Sequence, residues 1–240
     1  MKLKHKKHVR KGFSLVELLV VIAIIASLAA ISFGPITARI REGYKIQAVG
    51  KGKNLLVALQ SFAKDNDGLF PSENTARKGQ SGDSAEACFT QLLAGSYVEE
   101  EAIFWNKENA EVLAETVEGP DEDGELTEGE NVWGYVAGMS TSSRTTSPVI
   151  FDSAVGPGLF STGVWNGRAI IAKLDSSVKD YEITVSNYEE GLQNDDGSYK
   201  VGKVMAKKGK KEYDIFGKGA LPRSAKVFGP AGHSAELPSE

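Results

Sequence analysis

The 240-residue sequence contains one cysteine, Cys88, and three histidines. A single thiol excludes an intramolecular disulfide, which removes one common staple of exported domains without arguing against export. His5 and His8 fall within the first twelve residues, so only His233 remains for the rest of the chain. A Ser-His-Asp or Cys-His centre would have to use His233, and a zinc site with several histidines cannot be built. Neither a GxxxxGK(S/T) nor a GxGxxG phosphate loop is present. No catalytic constellation and no resident cofactor is therefore expected. Basic residues are concentrated at the start. Residues 1–12, MKLKHKKHVRKG, hold six Lys or Arg and no acid, whereas the chain from Phe13 onward holds 22 basic against 32 acidic side chains, about −10. An acidic balance of that size does not suggest a nucleic-acid partner.

What the chain does have is one long apolar run. Phe13–Phe33, FSLVELLVVIAIIASLAAISF, is 21 residues long, and only Ser14, Glu17, Ser27 and Ser32 are polar. At about 1.5 Å of rise per residue, such a helix spans roughly 30 Å, the thickness of a bilayer's hydrocarbon core. The basic leader stands immediately before it, so the positive-inside rule keeps residues 1–12 cytoplasmic and sends the rest outward. A secretory signal would have a shorter apolar core followed by a small-residue cleavage site. Here the small residue, Gly12, precedes the run, and cutting there would remove the leader while keeping the helix. Glu17 interrupts the run. A carboxylate in a spanning segment costs about 2.5–3.5 kcal/mol on insertion scales, and no basic residue lies between Phe13 and Pro35 to pair with it.

The string KG-FSLVELLVVIAIIA combines a basic leader, Gly12 at the cut, Phe13 as the new first residue and Glu17 as the fifth residue of the mature chain. It closely resembles the prepilin signal of type IV pilins and type II secretion pseudopilins. The resemblance implies cleavage after Gly12 by prepilin peptidase, methylation of the Phe13 amino group, and recruitment of each subunit into a filament through Glu17. It also implies other pilin or pseudopilin subunits, a membrane platform protein and a cytoplasmic ATPase as partners, with membrane lipid around the helix before assembly. The charge balance agrees with that role. The N-methylated amine of Phe13 still carries a proton, so Glu17 can meet its own Phe13 amine or that of a neighbouring subunit. A pairing between subunits would set axial register, as a buried polar group does in a coiled coil.

Beyond Gly34-Pro35 the pattern turns amphipathic. Ile36, Ile40, Tyr44 and Ala48 recur every four residues, and Leu55, Leu59 and Phe62 continue a face. Gly43, Gly50 and Gly52 weaken the helix by up to about 1 kcal/mol each, with flexibility expected near Gly50. One helix is predicted over 13–66, with Pro35 as the place for a kink. Phe70-Pro71 is similar to the link that follows the helical spine of pseudopilins. A short helix follows, for which Asp83 and Glu86 have N-cap and N3 spacing. Cys88 falls on its apolar face with Phe89 and Leu92, so a buried structural thiol is expected. A further helical stretch is predicted near Glu108–Thr116.

Residues 118–130, EGPDEDGELTEGE, read as an acidic loop. Asp121, Asp123 and Glu125 alternate as calcium ligands do, and some major pseudopilins bind calcium in head loops. The EF-hand pattern is absent, because Gly124 comes too early and no distal Glu follows. A solvated loop is preferred over a calcium site. Strands are predicted at Val132–Ala137, Val149–Asp152, Ala169–Leu174, Val178–Val185, Tyr199–Ala206 and Tyr213–Phe216, with turns at Asp175-Ser176-Ser177 and Asp195-Asp196-Gly197. Trp133, Tyr135, Phe151, Phe160 and Trp165 are assigned to the core, and a poorly ordered tail is expected from about Pro222.

The expected fold is α+β and pilin-like, a long N-terminal helix packed on an antiparallel sheet. Its parts are the leader 1–12, a transmembrane helix 13–35, an amphipathic spine helix 36–66, a head 67–221 and a tail 222–240. The expected role is a non-enzymatic filament subunit anchored in the cytoplasmic membrane with its head outside, reaching the cell surface if it joins a pilus. The rival is a membrane-anchored ligand-binding or enzymatic domain that does not polymerise and keeps its leader.

Overall fold

The computed structural model describes residues 14–106, 109, 119–156, 158–185, 201–208, 211–217 and 220–230, with the side chains of 31–38, 201, 207 and 208 outside that description. The chain forms two compact units, Met1–Glu42 and Gly43–Glu240. Helix α1 runs Leu15–Asp65. Its backbone continues through Pro35 and through Gly43, Gly50 and Gly52, so the break available at Pro35 does not end the helix.

In the first unit, Leu15, Val16, Leu19, Ile24, Ile25 and Leu28 are each more than half exposed. Because these positions fall all around the helix, the exposure is not one face turned away from a core. Among the described residues, no helix is long and apolar enough to cross a membrane.

In the second unit the buried face of α1 is Ala48, Leu55, Leu56, Leu59, Phe62 and Ala63, all part of one hydrophobic core. The predicted four-residue spacing is met at Ala48, but Tyr44 is 39% exposed and Ile40 52% exposed. Gly52 is a contact rather than a hinge. A Cβ placed on it would stand 3.1 Å from the Trp133 indole and 3.3 Å from Val178, so the missing side chain lets Trp133 lie against the helix.

Helix α2, Ala85–Ala94, starts one residue later than the capping pattern suggested. Ser84 is the N-cap and its hydroxyl accepts from the Ala87 N–H at 3.0 Å. Asp83 instead accepts from the Ser81 hydroxyl. Glu86 is therefore not at the N3 position; it is buried and accepts from the Asn131 side-chain amide at 2.8 Å. Cys88 is fully buried as expected.

Among the described residues nine strands follow: β1 Gly134–Ala137, β2 Pro148–Phe151, β3 Ala154–Gly156, β4 Leu159–Ser161, β5 Arg168–Lys173, β6 Val178–Thr184, β7 Val201–Lys208, β8 Lys211–Asp214 and β9 Lys226–Phe228. The order is β3-β4-β7-β6-β5-β2-β1-β9, with β8 folded back on β7, and every pairing is antiparallel. The fold is thus α+β. It is not the simple sheet expected of a pilin head, because the sheet curls until its ends meet. A Cβ on Gly229, just past β9, would lie 3.3 Å from Gly156 of β3. Within the segment expected to be a poorly ordered tail from Pro222, residues 226–228 pair with β1 as strand β9, and 231–240 lie outside the described residues.

The β5–β6 hairpin turns through Asp175–Ser177 as predicted, with Ser176 in the left-handed region at φ 66° and the Ser177 N–H bonded to the Asp175 carboxylate at 3.0 Å. Trp133, Tyr135, Phe151, Phe160 and Trp165 are all buried, as assigned from sequence. Of the helical stretch predicted at Glu108–Thr116, only Asn109 lies among the described residues; the turn at Asp195–Gly197 and His233 lie outside them.

Candidate functional site

Gly12 and Phe13, the proposed cleavage and methylation positions, lie outside the described residues. The next residues form the start of α1. A helix leaves its first N–H groups without acceptors inside the helix, and Ser14 and Glu17 supply them. The Ser14 N–H donates to Glu17 Oε2 at 2.8 Å, and the Glu17 N–H donates to Ser14 Oγ at 3.2 Å. This reciprocal arrangement is a capping box. It corrects the expectation that the segment offers Glu17 no partner: the partner is a neutral amide one turn back, not a cation. A carboxylate at this end of a helix also faces the favourable pole of the helix dipole. Both residues are exposed.

A second acidic constellation lies in the other unit. The 3-10 turn Glu101–Ile103 buries Glu101. Its carboxylate accepts from the Glu122 N–H at 2.7 Å and the Gly124 N–H at 2.6 Å, while the Glu101 N–H donates to the Glu122 carboxylate at 3.1 Å. The loop read as merely solvated is therefore pinned by a buried side chain. Leu126 is also buried, with its N–H bonded to Thr90 Oγ1 at 3.1 Å. One carboxylate oxygen each from Glu101, Asp121 and Asp123 lies within 4.8 Å of the others. Of the three residues read as alternating ligands, Asp121 and Asp123 are brought together and Glu125 is not; the third member, Glu101, was not anticipated. Oxygen donors so arranged suit a hard cation such as calcium. However, both Glu101 oxygens already accept backbone hydrogen bonds, and the other two carboxylates are exposed.

An open cavity of about 570 Å³ adjoins this region, lined by Gln47, Lys51, Asn54, Tyr97, Glu99 and Ile103 among others. The Lys51 ammonium donates to the carbonyls of Ala102 and Trp105 at 2.6 and 2.7 Å. Burial lowers its pKa from the ordinary lysine value. With two of its three N–H groups spent on carbonyls, Lys51 ties α1 to the 3-10 turn.

A fully buried carboxylate is Asp152, directly after β2. Its Oδ1 accepts from the Ile170 N–H at 2.6 Å and the Ser153 hydroxyl at 3.0 Å. Its Oδ2 accepts from the Trp165 indole N–H at 2.7 Å and the Asn109 amide at 3.0 Å. Burial pushes its carboxyl up to about 6 against the pull of these four donors. Fully buried and fully engaged, Asp152 holds strands together and offers no surface for chemistry. The sequence signal for it was an acid closing the apolar strand PVIFD.

No curated protein and no solved structure matches the chain. Residues 7–33 match the prokaryotic N-terminal methylation motif. That motif implies a membrane-anchored or extracytoplasmic protein, processing by prepilin peptidase and assembly with other pilin-type subunits. From its leader through the described cap at Ser14 and Glu17, the chain carries the prepilin-type cleavage and methylation signal of type IV pilins and pseudopilins.

Proposed function

We propose that the protein is a non-enzymatic filament subunit of a type IV pilus or a type II secretion pseudopilus, cut between Gly12 and Phe13, methylated on Phe13 and assembled through its N-terminal helix. The observation that carries this proposal is the methylation motif at residues 7–33. A helix start with Leu15, Val16, Leu19, Ile24, Ile25 and Leu28 exposed around its circumference supports it. Apolar side chains facing every direction need cover on every side. Lipid supplies it before assembly, and the same segments of neighbouring subunits supply it afterwards. Glu17 is then removed from water twice. Its cap to Ser14 satisfies one oxygen at the helix start, and the protonated Phe13 amine created by cleavage supplies the charge that Ser14 lacks. The residues assigned to processing and assembly are Gly12, Phe13 and Glu17, and the head remains outside the cytoplasmic membrane.

The deciding measurement is the mass of the N-terminus of protein purified from a host with the processing enzyme. The expected result is a chain that begins with methylated Phe13 and is recovered in filaments. A chain that retains Met1 and its lysine-rich leader would instead support an anchored domain that does not polymerise.

A further inference from the structure

The connection between β1 and β2 is rich in hydroxyls. Seven of the eight residues 140–147 are Ser or Thr, the eighth is Arg144, and Pro148 follows. Ser/Thr-rich sequence with proline is the composition of O-glycosylated segments. Which hydroxyls are presented is set by the backbone. The Ser143 N–H donates to the Ser140 carbonyl at 3.0 Å, and the Ser147 N–H donates to the Arg144 carbonyl at 2.9 Å. Two β-turns therefore follow one another, with Thr141 and Ser142 at the centre of the first and Thr145 and Thr146 at the centre of the second. All four are exposed, whereas Ser147, the next residue, is buried.

The turns stand on fixed supports. The Thr141 N–H donates to the Gly68 carbonyl, just past α1, at 2.9 Å. From the β5–β6 turn, the Asp175 N–H donates to the Thr145 carbonyl at 2.8 Å and the Leu174 N–H to the Ser147 carbonyl at 3.1 Å. Held from both sides, the loop presents its tips in one arrangement.

The hydroxyls differ in whether the fold uses them. Those of Ser140 and Ser142 share a hydrogen bond at 2.8 Å, and that of Ser143 accepts from the Ser140 N–H at 3.1 Å. Thr141 Oγ1 packs on Gly68, where a Cβ would stand 2.8 Å from it. Hydroxyls in other loops of the head are engaged too: Thr75 donates to Gln91, Thr127 to Glu130 and Ser177 to Asp175. The Thr145 and Thr146 hydroxyls, by contrast, form no hydrogen bond among the described residues. Turn chemistry does not account for them either. Central turn positions favour Gly, Pro, Asn, Asp and Ser, and β-branched threonine is not among these.

We infer that the second turn is an O-glycosylation site, with Thr145 and Thr146 as acceptors of sugar from a lipid-linked glycosyl diphosphate. The inference rests on the proposed placement of the head outside the cytoplasmic membrane, where a lipid-borne donor is within reach. Threonine Oγ1 attacks the anomeric carbon, and the new glycosidic C–O bond replaces the bond from that carbon to the diphosphate oxygen. The diphosphate leaves with the bonding electron pair, and the hydroxyl proton passes to a base of the transferase. Nothing is oxidised or reduced. Arg144 is exposed directly before the acceptors and offers a guanidinium to the donor's diphosphate.

The test uses the full-length protein recovered from the organism that makes it. Trypsin cuts after Arg144 and next after Arg168, which separates Thr145 and Thr146 from Thr141 and Ser142. Peptide 145–168 is expected to exceed its sequence mass by one or more sugar residues, with fragmentation placing the addition on Thr145 or Thr146 and none on Ser147. Thr145→Val with Thr146→Val keeps the β-branched shape and removes both hydroxyls, and the added mass should vanish. Thr145→Ser with Thr146→Ser keeps the acceptors and should retain it. An unmodified wild-type peptide would overturn the inference, as would phosphate in place of sugar or an added mass that survives the valine pair. Sugar already present on chains whose head is still shielded from external protease would mean a cytoplasmic, nucleotide-borne donor, and would overturn the lipid-linked assignment. The N-terminal mass tells the failures apart. A chain beginning at Phe13 with peptide 145–168 at its sequence mass refutes the glycosylation alone, whereas a chain beginning at Met1 refutes the filament proposal.

Discussion

Asp152 shows what a single side chain does in this head. Its carboxylate holds four donors that come from β5, from the turn after β2, from the Trp165 loop and from Asn109. Around it the chain takes left-handed backbone at Ser153, Trp165 and Asn166, a conformation that non-glycine residues hold only when the surroundings fix it. Burial raises the carboxyl from 3.8 to about 6. The folded state therefore binds this proton more tightly than the unfolded state, and stability from this group is full below about pH 4 and lost as pH rises through about 6. The loss is on the order of 3 kcal/mol. Urea midpoints of the detergent-solubilised chain at pH 4.5 and pH 7 should show that decline, and Asp152→Asn should lack this component of it. Asn replaces one acceptor oxygen by an NH₂ group, leaving two donors facing a donor. The variant should therefore be less stable than wild type at pH 5 by about 2 kcal/mol or more.

At the scale of elements, what was legible in the sequence was what neighbouring residues decide. The β5–β6 hairpin could be read because Asp175-Ser176-Ser177 sits between two apolar runs, and α1 because its pattern persists over many turns. Strands β3, β4 and β9 are three residues each; distant partners make them, and no local periodicity announces so short a strand. The α2 cap was misplaced by one residue because Asp83 and Ser84 are both good caps and only the Ala87 amide chooses between them. Glu101 was missed because twenty residues separate it from Asp121. The glycines of α1 separate in the same way. Sequence treats Gly50 and Gly52 alike, whereas a Cβ at Gly50 meets nothing within 4 Å and one at Gly52 meets Trp133. Gly50→Ala should therefore raise stability by up to about 1 kcal/mol through helix propensity. Gly52→Leu should lower it by about 1–3 kcal/mol, since the fully buried Trp133 has no room to withdraw. Thermal unfolding of the two variants beside wild type checks both signs, and a stabilised Gly52→Leu chain would mean that the helix and Trp133 are not in contact.

At the scale of the whole molecule, the open matter is what Glu17 contributes beyond starting its own helix. The Ser14–Glu17 cap supplies a local reason for an acid at this position, and a local reason alone would be met equally well by glutamine, which serves at the third position of a capping box. Pairing with the Phe13 amine of the same or a neighbouring subunit would not be, because it needs the negative charge. Glu17→Gln and Glu17→Ala therefore separate the two contributions. If charge governs entry into the filament, both variants are cleaved after Gly12 at the wild-type rate, yet both fall more than roughly tenfold in filament incorporation, as expected when one partner of a desolvated ion pair is removed. If the cap alone governs it, Glu17→Gln assembles normally and only Glu17→Ala fails. The expected outcome is the first. Ser14→Ala supplies the converse: it deletes the hydroxyl that accepts from Glu17 but keeps the Ser14 amide position and the carboxylate. It should cost about 1 kcal/mol of helix-end stability while leaving incorporation within a fewfold of wild type.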